Sequence, residues 1–312
     1  MGAPTSVSVV VGLRERPRAL DAAIAAFSRE AESVGAEVIL VDGSGTDDAR
    51  AAAASYANVR VIAGTRGALM PVLWSDGVRA CRGGVIALSI APMIPDAGWL
   101  TRACEVLASG SCAAVGGAIE NAPSLSPVAW AIYFARYSAY ALPFAAHEVD
   151  DLPADNAAYT RAGLDAARDL VERAFWEPPI HARMREAGLS LRVDPTLVVR
   201  HYGSFGLIGF AAQRFHHGRH HAAAELTHQP LVRHLAKLVR APLVPFVLFA
   251  RTARRIVARR RLLAQFVFAS PVLLFFFACW AAGEAAGALA GAPRHASANT
   301  NAGTRNAGEA RS

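Results

Sequence analysis

Cysteine is scarce in this sequence, and none of it is arranged for chemistry. Cys81, Cys104, Cys112 and Cys279 form no CxxC pair and no metal-ligand spacing, so they are read as reduced, mostly buried thiols on the cytosolic side. The opening MGAPTSVSVVVG has no basic segment ahead of an apolar one, and no secretory signal is expected. The spaced GxGxxG fingerprint and the GxxxxGK[ST] loop are both missing, which argues against a nicotinamide enzyme and a P-loop ATPase. His217 and His221 stand four apart on one helical face, but HExxH is absent, so zinc lacks its usual partners.

Apolar residues are abundant. They make up 53% of the 312 positions, and the mean hydropathy is +0.26, high for a purely soluble chain. The net charge of +7 suits nucleic acid, anionic lipid or a phosphate-bearing substrate, and its distribution must choose among them.

The first hundred or so residues alternate in pattern. Short apolar runs at 7–11, 37–41, 59–63 and 85–89 read as strands, and segments 17–34, 47–57 and 72–82 between them read as helices. Such alternation predicts a mostly parallel sheet with helices on both faces, whose ligands bind beyond the carboxyl ends of the strands. The run AEVILVDGSGTDD ends there: Asp42 closes the second strand. It either faces the crevice and bonds a base or ribose, or caps its own turn together with Ser44.

The segments SVVVGLRERPRAL, EVILVDGSGTDD and GVRACRGGVIALSIAPMIPDAGWL, followed by AAVGGAIEN, LPADNAAYTR and FWEPPIHARMREAGLSLRVDPTLVVRHYG, resemble in order and spacing the nucleotide-sugar half of family-two glycosyltransferases of GT-A fold, over about residues 6–203. The resemblance implies that Asp42 holds the nucleotide base, that Gly12 and Glu15 line a uridine or guanosine pocket, and that Glu177 is the catalytic base; Ser44, beside Asp42, is a further candidate nucleotide contact. Glu177 has a plainer reading as a first-turn acid that favours the helix dipole. Asp155 and Asn156, in a loop facing the donor, are candidates to bond sugar hydroxyls.

One family feature is missing. Where the family carries DxD to hold a divalent cation, this chain reads Ser89-Ile-Ala-Pro-Met93, which offers no carboxylate to magnesium or manganese. Asp96 and His201 are the remaining candidate ligands, although Asp96 also reads as a turn or helix-capping residue and His201 as a histidine bonded to backbone carbonyls. Arg214 and Arg219, in QRFHHGRHHA, are expected to meet phosphate and stand in for the cation. The aromatic stripe Trp130, Tyr133, Phe134, Tyr137 and Tyr140 is either core or a face that meets a lipid.

The excess apolar content lies near the C-terminus. Residues 262–283 contain no charge over 22 positions, long enough at roughly 1.5 Å per residue to cross a bilayer. Arg251, Arg254, Arg255, Arg259, Arg260 and Arg261 precede them, which the positive-inside rule places in the cytosol and which assigns the charge to anionic lipid instead of nucleic acid. The expected organisation is a GT-A domain over 1–225, basic interfacial helices over 226–261, a transmembrane segment over 262–292 and a disordered tail over 293–312. The expected protein is a membrane-bound transferase, its catalytic domain cytoplasmic, that moves a sugar from a nucleotide donor to a lipid or lipid-linked glycan. The alternative is a non-catalytic relative acting as a binding or scaffold subunit.

Overall fold

The opening β-branched run forms β1 (Val7–Leu13), and all of its residues are buried. A strand with neither face in water belongs inside a sheet covered by helices on both sides. In the computed structural model, which describes residues 6–203, 205–227 and 229–290, β1 is followed by α1 (Leu20–Ser33), β2 (Glu37–Asp42), α2 (Asp48–Ala53), β3 (Val59–Ala63), α3 (Met70–Ala80) and β4 (Val85–Ile90). This is the alternation read from the sequence, with α2 ending earlier than its alanines suggested. β1 pairs in parallel with β2 and β4, and β2 with β3.

The second half of the sheet is mixed. It contains β5 (Met93–Pro95), α4 (Trp99–Ala108), β6 (Ala114–Asn121), α5 (Pro127–Tyr137), β7 (His147–Val149), β8 (Asn156–Thr160), α6 (Arg161–Asp165), α7 (Arg168–Arg173), α8 (Glu177–Glu186) and β9 (Leu191–His201). The nine strands lie in the order β3-β2-β1-β4-β8-β6-β9-β5, with β7 also on β9. β8 is antiparallel to β4 and β6, and β5 and β7 are antiparallel to β9, so the other strands share one direction.

Two buried polar side chains set the geometry of this half. Glu30 on α1 accepts from the backbone N–H groups of Gly98 and Leu100 at 3.0 and 2.9 Å, satisfying donors at the start of α4 that its own turn cannot reach. The β6–β9 register shifts between Gly117 and Ala118. A Cβ at Gly117 would come within 1.9 Å of the Leu197 carbonyl oxygen, so only glycine lets the strands approach there. The Asn156 amide donates to the Ala118 and Leu197 carbonyls at 2.9 and 3.0 Å, satisfying acceptors that the bulge leaves out of the ladder.

The chain divides into two compact units. Met1–Phe205 with Thr252–Ser270 forms the first, and Gly206–Arg251 with Pro271–Ser312 the second. The division falls near residue 205, earlier than the 225 expected, and the segment 252–270 joins the sheet-bearing unit. Within that unit Arg259 donates to the Ser138 and Ala139 carbonyls, Arg261 pairs with buried Glu120 at 2.8 Å, and Phe266 meets Phe134 edge-on. Two of the six arginines expected to flank a bilayer are therefore bonded to protein, because backbone carbonyls and a buried carboxylate in their own unit need donors.

The second unit contains α9 (Leu207–Leu226), α10 (Leu231–Arg240) and parts of α11 (Val244–Arg259) and α12 (Leu263–Ala290). A Cβ at Gly283 of α12 would lie 2.1 Å from the Phe215 carbonyl oxygen of α9, a backbone approach open only to glycine. Leu263–Leu289 is the one helix among the described residues long and apolar enough to cross a membrane, and a buried core helix meets the same test. The tail over 293–312 lies outside the described residues.

Candidate active site

Parallel pairing brings the carboxyl ends of β1, β2 and β4 to one edge of the sheet. Ser89 near the end of β4 pairs with Asn156, the first residue of β8, so Asp155 joins that edge. His201 closes β9 opposite Asn121, the last residue of β6. These strand ends and the N-terminus of α8, which begins at Glu177, define the candidate site.

At the end of β2, Asp42 makes the turn that one reading of the sequence gave it. Its Oδ1 accepts from the Ser44 backbone N–H at 2.8 Å and the Ser44 hydroxyl at 2.6 Å. Gly12 is buried, and a Cβ there would meet Met70 Sδ at 2.2 Å, so a larger residue would displace the flexible Met70 side chain of α3. Glu15 is exposed in the loop after β1.

At the DxD position, Ser89 donates its hydroxyl to the Asp155 carbonyl oxygen at 2.8 Å, and Ile90 and Ala91 are buried. Asp96 is carried away by β5, which runs back along β9 from Met93 opposite His201 to Pro95 opposite Val199. There it forms a two-pronged pair with Arg200, Oδ1 to Nε and Oδ2 to Nη2 at 2.8 Å each. Asp96 is therefore neutralised by a guanidinium and is not offered to a metal.

The chemistry-bearing groups gather around Asp155. Its Oδ2 accepts from Arg136 Nη2 at 3.1 Å and from the Tyr137 hydroxyl at 2.5 Å. The His201 ring lies 5.1 Å from the Tyr137 ring and is 2% exposed, and its Nδ1 has no hydrogen-bond partner. Burial, then the nearby Arg136 charge, pull its pKa down to about 3, so His201 stays neutral. Glu177 shifts in the opposite direction. Burial raises its carboxyl to about 7, against a partial offset from its own backbone N–H, and the charges of Asp155 and Asp151 add to the rise. A carboxyl poised near neutrality is suited to taking a proton. Its neighbour His181 is fully buried, its Nδ1 against Asp151 and its Nε2 3.0 Å from the Tyr159 hydroxyl.

Asn156 does not join this set. It is fully buried, and its Oδ1 accepts from Trp99 Nε1 at 2.7 Å while its amide serves the bulge, so no polar atom of it faces a sugar. The aromatic stripe is core: Trp130, Tyr133, Phe134 and Tyr137 are buried, and Tyr140 is half-buried. Arg136, on the same helix, was missed in the sequence. The signal was a guanidinium one residue before a buried tyrosine, on a helix otherwise read for its aromatics.

Arg214 and Arg219 belong to the second unit. The Arg214 guanidinium lies over the Phe210 and Trp280 rings at 4.9 and 5.5 Å, with Nη2 3.1 Å from His217 Nδ1. Arg219 is half-buried on the same helix. Among the described residues, three metal-capable ligand atoms converge at His221, Glu225 and Glu284. The Lys237 ammonium already pairs with Glu225 and lies 3.2 Å from Glu284, supplying the positive charge those carboxylates need. No such convergence occurs around Asp155 among the described residues.

No protein-family model matches the chain, and no curated protein matches it. Among solved structures, it is similar to a mannosyltransferase from Pyrobaculum calidifontis in complex with GDP-Man and Mn2+, at 14% identity and TM-score 0.55, over 90% of this chain and 87% of that one. GalNAc-T7 with UDP, GalNAc and Mn2+ aligns at 12% identity and TM-score 0.46 over 63% of this chain and 44% of that one. S. aureus TarS in complex with UDP-GlcNAc aligns at 12% identity and TM-score 0.49 over 64% and 59%. The fold assignment rests on the first, which matches nearly the whole chain. The chain has the GT-A fold of glycosyltransferases.

Proposed function

We propose that this protein transfers a sugar from a nucleotide-sugar donor to a lipid or lipid-linked glycan at a membrane, with inversion at the anomeric carbon. The observation that carries the reading is Glu177, at the start of α8, a carboxyl raised to about 7 by burial and by the charges of Asp155 and Asp151. The donor class is supported by the fold, which the mannosyltransferase bound to GDP-Man shares, and by Asp42 at the end of β2, whose Oδ2 is not used by the turn.

In this reading, the acceptor hydroxyl passes its proton to Glu177 as its oxygen attacks the anomeric carbon. The bond from that carbon to the diphosphate breaks, and its electron pair stays on the leaving phosphate oxygen. A divalent cation would ordinarily share that charge, but the residues do not fit one: Ser89, Ile90 and Ala91 offer no carboxylate, Asp96 is paired with Arg200, and Asp155 is paired with Arg136. The mechanism includes no step through a metal.

Membrane attachment is supported by α12 and by α10, whose Leu231, Leu235 and Val239 share one helical face and are each more than half exposed. An apolar groove of about 740 Å³ in the second unit, lined by Leu238, Phe246, Phe275 and Ala278 among others, is suited to an acyl or prenyl chain. Binding of donor is tested by thermal unfolding with a panel of nucleoside diphosphates and their sugars. A ligand present at about 100 times its Kd stabilises by about 2.7 kcal/mol, and a protein stabilised by no member of the panel would overturn the reading.

A further inference from the structure

The candidate site has a fixed cation that the sequence did not disclose. Arg136 lies on α5 with its side chain 22% exposed, and its guanidinium is 4.8 Å from the Tyr137 ring centroid. Nη2 donates to Asp155, and among the described residues no acceptor meets Nη1 or Nε. These N–H groups are not sealed from solvent, so they are open to an anion that enters the site, where a charge-assisted hydrogen bond is stronger than one to a neutral partner. Asp155 is shared, since the same carboxylate oxygen also accepts from the Tyr137 hydroxyl, and it engages only Nη2 of the guanidinium.

Neighbouring groups indicate what such an anion would be. Neutral His201 lies against Tyr137, Glu177 lies close enough for its charge to be felt at Arg136, and Ser89 ties the end of β4 to Asp155. Among the described residues, no set of three metal-capable ligands converges here to hold a divalent ion. Resting on the donor reading above, we infer that Arg136 takes the place of a metal, binding the diphosphate of the donor through its unspent N–H groups. As the anomeric C–O bond breaks, the electron pair passes to the phosphate oxygen, and the guanidinium neutralises that charge without giving up a proton. This assigns to Arg136 the part that Arg214 and Arg219 were expected to play.

The test is calorimetric titration of the full chain in detergent with uridine, guanosine, UDP and GDP, each in EDTA and in Mn2+. The diphosphate is expected to bind more tightly than its nucleoside, and to do so equally in EDTA. Arg136→Gln should weaken the diphosphate roughly 10–100-fold and leave the nucleoside unchanged. Because that variant leaves Asp155 without its partner, the double variant Arg136→Gln/Asp155→Asn, which removes both charges, should show the same selective loss. Diphosphate affinity unaltered in both variants, or abolished by EDTA and restored by Mn2+, overturns the inference. If the wild type binds nucleoside but gains nothing from the diphosphate, the inference alone fails. If it binds neither, the donor reading fails and the inference with it.

Discussion

The Ser89 hydroxyl donates to the main-chain oxygen of Asp155 at 2.8 Å, tying the end of β4 to the start of β8. At the point where a GT-A chain would present a metal-binding carboxylate, this one has a fully buried strap. Ser89→Asp would put an unpaired carboxylate into that strap. It is expected to cost about 3–5 kcal/mol, the usual penalty for an uncompensated buried charge, and to confer no Mn2+ binding. Chemical denaturation with and without the metal measures both.

Asn156 supports the fold. Asn156→Ala strands the Ala118 and Leu197 carbonyls and the Trp99 indole N–H. A loss of roughly 2–5 kcal/mol is expected from groups left unsatisfied in the interior. A denaturation midpoint equal to the wild type would show that water or a shifted bulge replaces the amide.

Asp42→Asn keeps an oxygen for the Ser44 turn while removing the negative charge. Its melting temperature should match the wild type, and its nucleotide affinity should fall by about tenfold, as expected for loss of a charge-assisted hydrogen bond. Unchanged affinity by calorimetry would take Asp42 out of the nucleotide contact and leave it only its turn.

Glu177 predicts two pH dependences. The base must be ionised, so kcat/KM should rise as pH passes about 7, while Glu177→Gln shows no such rise and turns over roughly 10²–10⁴ times more slowly. For stability the sign is opposite. A folded pKa above the ordinary value of 4.5 means that the folded state holds the proton more tightly. The contribution of Glu177 to stability is full below pH 4.5 and is lost as pH rises through about 7. Wild-type stability relative to Glu177→Gln should therefore fall across that window, as read by urea titration at a series of pH values.

The half of the fold built from local alternation was legible because buried parallel strands and amphipathic helices carry their periods in the sequence, as in β1, α1 and β2. What was not legible depends on distant partners. Asp96 looks like a free acid until β5 folds back and sets it against Arg200, more than a hundred positions away. Asn156 looks like a loop residue until the β6–β9 bulge claims its amide. Arg136 is one of many arginines until Asp155 and His201 close around it. Likewise, Arg259 and Arg261 read as part of a basic flank because charge is visible in sequence, whereas the Ser138 carbonyl and Glu120 that bind them are not.

The apolar face of α10 makes the membrane reading testable without truncation, which would remove 252–270 from the sheet-bearing unit. Leu235→Glu together with Val239→Glu should reduce flotation of the full chain with vesicles containing anionic lipid, leaving nucleotide affinity unchanged. Undiminished flotation would assign attachment to α12 alone.

Glu177 is proposed to act as the base in transfer from a nucleotide sugar. The most direct measurement is nucleoside diphosphate release from a panel of UDP- and GDP-sugars by the purified full chain with extracted lipid acceptors, wild type against Glu177→Gln. Release is expected from at least one donor, depending on acceptor, persisting in EDTA and dropping at least a hundredfold in the variant. Nucleotide binding without release, or release equal in the two proteins across the whole panel, would contradict it.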